Sequence, residues 1–173
     1  MDSLIKFPNV EKVLWEFAEE VKDRYRQNLL DNGHYATGNL SNPQNIECLV
    51  TYNNATFSVS LRLQDYWLSI EKGRPPTKNR GDGSLRRAIL DWINVKRILP
   101  HPDKNGKLPT PQQLAYLISR SIHKYGTKSY RETKNGSEDL KHATEDVFRE
   151  FEEKISKAVA ADMDIALIEI FHR

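Results

Sequence analysis

Cysteine is nearly absent from this chain: Cys48 is the only one among 173 residues. A single thiol closes no internal disulfide and excludes a metal site built from several cysteines. Long apolar runs are missing too, since none approaches the roughly 18 residues needed to span a bilayer. The first residues, Met1-Asp2-Ser3-Leu4-Ile5-Lys6, carry no long apolar stretch and no small-residue cleavage site, so a cytosolic product is expected. There is no Gly-x-Ser-x-Gly, no Gly-rich loop ending in Gly-Lys-Ser/Thr and no His-Glu-x-x-His, which removes the common hydrolase, nucleotide and zinc-protease signatures. His34, His101, His123, His142 and His172 form no i, i+4 pair and read as independent surface groups. Asp65, Glu71 and Asp103 make no recognisable acidic cluster, which argues against a metal-dependent nuclease. The expectation is a protein without catalytic residues, metal or cofactor.

What is present reads as a globular protein. With 38% hydrophobic and 29% charged residues, the chain suits a single domain over residues 1–173. Residues 9–31 predict a helix capped by Asn9, with Val10, Val13, Leu14, Phe17, Val21, Tyr25 and Leu29 in one apolar stripe. Trp15 falls off that stripe and reads as a flank contact to a neighbouring element or subunit. Residues 46–63 predict a β-hairpin. Ile46, Cys48, Val50 and Tyr52 share one face of its first strand, and Phe57, Val59, Leu61 and Leu63 one face of its second. Asn53-Asn54 is placed at its turn, and Cys48 becomes an inert core thiol. Two strands alone are marginal, so at least one helix must cover them.

Further helices are expected at 65–72, 84–97, 110–125 and 138–171. Leu85, Ile89, Trp92, Ile93 and Ile98 stripe the second of these, and Leu114, Leu117, Ile118 and Ile122 the third. The third opens with Thr110 as N-cap, Pro111 at the first turn and Gln113 completing a capping box. The last carries Val147, Phe148, Phe151, Ile155, Val159, Met163, Ala166, Leu167 and Ile170. Its final eight residues also alternate, so an extended end is the alternative to continued helix. The stretches 74–83 and 127–136 read as basic loops, the first of them mobile. The fold class is α+β: a small antiparallel sheet built on one hairpin, packed against long N- and C-terminal helices.

Charge is distributed unevenly. From Lys72 to Lys134 fifteen Lys and Arg face four acids, whereas from Glu138 to Arg173 ten acids face five bases. Two electrically distinct surfaces are implied, although solvated loops beside an acidic helix face account for the same pattern. The basic residues gather at three breaks: Lys72, Arg74, Lys78, Arg80, Arg86 and Arg87; then Lys96, Arg97, Lys104 and Lys107; then Lys124, Lys128, Arg131 and Lys134. No recognition helix, zinc module or RNA-binding aromatic signature accompanies them. Loose contact with phosphates, without base reading, stays open.

One ordered set of pieces carries a resemblance. Gly38-Asn39-Leu40 follows the first helix, and then comes the alternating hairpin. The run Tyr66-Trp67-Leu68-Ser69-Ile70-Glu71-Lys72-Gly73-Arg74-Pro75-Pro76 is next, then Ala88-Ile89-Leu90-Asp91-Trp92-Ile93 and the Leu114–Gly126 helix. Their order over roughly residues 35 to 130 resembles the tail-completion, or head–tail joining, proteins of tailed bacteriophages. The long loops and long last helix depart from that pattern.

The resemblance implies a non-catalytic virion protein, made in the host cytoplasm. It implies a neck ring of six or twelve copies between portal or adaptor and tail, around the DNA channel. Tyr66, Trp67, Glu71, Gly73, Arg74 and the basic residues of the three loops are then the candidates for contacts with itself, with adjoining rings or with packaged DNA. For Glu71 and Gly73 simple helix termination is an equal alternative. The other functional reading is a phage or mobile-element accessory protein that binds DNA nonspecifically through the basic loops.

Overall fold

The computed structural model describes residues 6–34, 38–53, 56–77, 81–102, 104–133 and 136–171. Its elements in chain order are α1 (Pro8–Asp31), a short 3-10 turn (Pro43–Asn45), β1 (Glu47–Asn53), β2 (Thr56–Arg62), α2 (Trp67–Glu71), α3 (Ser84–Lys96), α4 (Pro111–Tyr125), α5 (Lys128–Thr133) and α6 (Asp139–Phe171). The class is α+β, with the two-stranded antiparallel hairpin packed against α1 and α6. Read from sequence as one domain, the chain gathers into two compact units. The first comprises Met1–Asn32, Leu40–Gln64 and Asp139–Arg173, the second Gly33–Asn39 and Asp65–Glu138.

In the first unit, Val10, Phe17, Val21, Tyr25 and Leu29 of α1 are buried as their spacing requires, while Val13 and Leu14 are half-buried. Phe17 and Val21 meet Val147 and Phe151 of α6, and Val59 and Leu61 of β2 pack on the same cluster. The Phe17 and Phe151 rings cross edge to face at 5.8 Å, a geometry that adds about 1 kcal/mol to the area they bury. Cys48 pairs with Leu61, Val50 with Val59 and Tyr52 with Phe57, so the apolar positions of both strands share one face of the sheet. Asn53 is the last strand residue, opposite Thr56, rather than a turn residue; Asn54 lies outside the described residues. Trp15 is 38% exposed.

The two long helices run antiparallel, and each end is fastened by a polar contact. Asn32 Nδ2 donates to the buried Asp139 carboxylate (2.6 Å), and Asn28 Nδ2 to the Asp139 carbonyl (3.0 Å). At the other end the start of α1 corrects the sequence reading. Asn9 does not cap the helix, because Pro8 takes the first helical position and Phe7 stands at the cap with no side-chain bond. Asp162 of α6, fully buried, supplies the acceptors instead. Its carboxylate receives Asn9 N (3.1 Å), Asn9 Nδ2 (2.6 Å) and Val10 N (2.8 Å).

Cys48 is the core residue its strand position indicates. Its thiol donates to the Ala18 carbonyl at 3.5 Å, and burial, aided by nearby Glu19, pushes its pKa to about 11. Iodoacetamide at pH 8 is therefore expected to alkylate the folded protein roughly two orders of magnitude more slowly than the urea-unfolded chain. Equal rates would place the thiol outside the core.

In the second unit α3 and α4 pair through Ile89, Ile93 and Ala115, flanked by Leu85, Trp92, Leu114 and Ile118. The capping box at Thr110 and Gln113 forms as expected: Gln113 N donates to Thr110 Oγ1 (3.2 Å) and Thr110 N to Gln113 Oε1 (2.9 Å). α3 stops one residue short of the expected Arg97. That residue turns left-handed (φ 50°), and Ile98 N donates back to the Ile93 carbonyl (3.0 Å), the bond that closes such a helix end. α2 likewise spans only Trp67–Glu71, with Tyr66 at its cap, instead of 65–72. The supposed loop 127–136 contains α5. Thr127 starts it, accepting Arg131 N on its carbonyl (3.2 Å) and Tyr130 N on its hydroxyl (3.4 Å).

Candidate interaction surfaces

Apart from Trp15, every candidate contact residue named from the sequence belongs to the second unit. Between residues 65 and 138 that unit carries fifteen Lys and Arg against seven Asp and Glu, a net charge of +8. The remaining eleven bases and seventeen acids give the first unit −6. The uneven charge of the sequence thus coincides with the division into two compact units.

The run Glu71–Arg74 is a backbone junction. Glu71 is 6% exposed, and its carbonyl accepts Glu138 N (3.1 Å), while Ser137 Oγ donates to the Ile70 carbonyl (3.2 Å). Gly73 is left-handed (φ +69°), and a Cβ there would stand 2.6 Å from Tyr130 N. Arg74 N donates to Thr127 Oγ1 (3.0 Å), Thr127 N returns a bond to the Arg74 carbonyl (2.9 Å), and Thr77 N reaches the His123 carbonyl (2.9 Å). The segment 74–77, expected to be mobile, is therefore tied to the end of α4 and the start of α5. Glycine at 73 is required by this close approach as well as by helix termination. The partner segment 126–138 gave no sequence signal, because backbone-to-backbone contacts leave only isolated glycines behind.

The described basic candidates on or near α3 to α5 lie outward. Arg86 and Arg87 are exposed on α3, with the Arg86 guanidinium 5.7 Å from the centre of the Tyr116 ring. Lys104, Lys107 and Arg131 are exposed, and Lys128 approaches Glu132 at 3.9 Å across one helical turn. That exposed pair contributes little to stability. Tyr66 is 41% exposed and Trp67 half-buried. Lys78 and Arg80 lie outside the described residues. Among the described residues no group of three or more His, Cys, Asp or Glu is placed to hold a metal ion, and no helix is long and apolar enough to cross a membrane.

Two exposed apolar surfaces were not anticipated, because the sequence stripes assign Leu117 of α4 and Phe148, Val159, Met163, Leu167 and Ile170 of α6 to the core, and no stripe includes Tyr116. Leu117 and Tyr116 of α4 are 54% and 48% exposed. They share the outward side of that helix with Arg120 and Lys124 by helical spacing. In α6, Val147, Phe151, Ala158 and Asp162 face inward, whereas Phe148, Val159, Met163, Leu167 and Ile170 face water. The helix continues to Phe171, so the alternating end is helical. Comparison with protein-family models, with curated proteins and with solved structures finds no match to this chain.

Proposed function

We propose that this chain is a structural subunit of a tailed-phage neck, assembling head to tail into a homo-oligomeric ring between portal and tail around the DNA path. The observation that carries the reading is the separation of charge into a unit of +8 and a unit of −6, each with exposed apolar side chains. Two unlike surfaces on one molecule favour a heterologous contact over a two-fold one. Heterologous contacts whose rotation closes make rings. Opposite potentials also steer such an encounter and fix its register. The order of motifs from Gly38 to Gly126 supports the placement in a neck, and the basic unit suits a polyanion or an acidic neighbouring ring.

Sedimentation and electron microscopy of the purified chain test the reading. A closed oligomer with a central opening is the expected result. A monomer at all concentrations, binding duplex DNA with an affinity that falls steeply with salt, would instead establish the accessory DNA-binding reading.

A further inference from the structure

The last nine helical residues, Met163–Phe171, run on past Asp162, the residue that caps α1, for about 13 Å. Met163, Ile165, Leu167, Ile168, Ile170 and Phe171 are between 43% and 81% exposed. They leave on the order of 700 Å² in water, where the largest patch on a typical monomer is ~300–600 Å² and a standard interface takes ~800 Å² from each partner. A helix apolar on nearly all sides is stable where it is buried. The charged groups of the segment are Asp164 and Glu169, and its last turn holds no basic residue.

We infer that this tail seats on the outward face of α4 in a neighbouring copy. Tyr116 and Leu117 there offer apolar contact, and the exposed Arg120 and Lys124 stand beside them. Pairing two tails would set the acids of this segment, Asp164 and Glu169, against their own copies, whereas the α4 face supplies the opposite charge as well as the apolar surface. The inference rests on the self-association proposed above and names the two surfaces that meet.

Two double variants and their mixture provide the test. Leu167→Glu/Ile170→Glu spoils the tail and keeps the α4 face, and Leu117→Glu/Arg120→Glu does the reverse. All four positions are exposed, and circular dichroism confirms folding. Each variant alone is expected to need a roughly hundredfold or greater rise in concentration to associate. Mixed, they should form one-to-one dimers and stop, since each dimer uses the one intact tail and the one intact face. A tail variant that assembles like the wild type overturns the inference and leaves the ring reading standing. A face variant that still dimerises alone, with the tail variant monomeric, shows tail-to-tail pairing instead. A monomeric wild type removes the ring reading and this docking with it.

Discussion

Replacing Asp162 with alanine is expected to lower the stability of the first unit by about 3 kcal/mol, combining a lost helix cap with a buried donor left unpaired. The carboxylate is fully buried, and its oxygens receive three N–H groups from the first turn of α1. It also places a negative charge where the helix dipole is positive. The cap residue Phe7 offers no side-chain acceptor in its place. For a chain of this size the melting temperature should fall by roughly 6–12 °C. Asp162→Asn keeps one oxygen acceptor and loses the charge, so it should lie between the two. Urea unfolding followed by far-ultraviolet circular dichroism measures all three proteins. A shift below about 0.5 kcal/mol for the alanine variant, the range of an ordinary surface substitution, would mean that α1 does not depend on this cap.

The cap also shows where sequence reading stops. The faces of the two strands and the Thr110 box were legible because their signals are local: an alternation of period two and a Thr-x-x-Gln spacing. Asp162 lies 153 positions from Asn9, and nothing in either neighbourhood marks the other. Asn9 looked like the cap because its residue type suits one, but Pro8 shifted the helix start. The stripe of α6 failed for a different reason. Val147 and Phe148 are about 100° apart around the helix, yet both fit an apolar pattern, and only the packing of α1 and the hairpin decides which faces inward. The same ambiguity concealed Leu117 on α4. α5 was missed because six residues make too short a segment for periodicity, and its first turn is anchored by Thr127, a residue shared with Arg74.

These failures fall on functionally suggestive ground. The apolar residues that sequence placed in the core and structure places in water are Phe148, Val159, Met163, Leu167 and Ile170 on the acidic unit and Leu117 on the basic one. A core needs one buried stripe per helix, and α4 and α6 each carry more apolar surface than their own unit covers. That excess is the physical basis for reading the chain as a building block. The junction around Glu71 serves a different purpose, which is to hold the basic unit together without a large core.

Gly136→Ala should therefore be among the most damaging single-methyl changes in the second unit. Gly136 is left-handed (φ +80°), and a Cβ there would run into the Glu71 carbonyl and the Lys72 Cα, which are backbone atoms and cannot swing aside. That carbonyl also accepts Glu138 N, so relieving the clash breaks the bond that closes the junction. Left-handed strain of about 1–2 kcal/mol adds to an overpacking term of about 1–3 kcal/mol, for an expected loss near 4 kcal/mol. Gly106→Ala provides the control. Gly106 is equally left-handed (φ +78°) but has nothing within 4 Å of its Cβ position, so it should lose only the conformational part, about 1–2 kcal/mol. Thermal unfolding followed by tryptophan fluorescence in a Trp15→Phe background reports on this unit through Trp67 and Trp92. Equal losses in the two variants would show that backbone conformation alone, and not the approach of residues 71–72 to residue 136, sets the requirement for glycine.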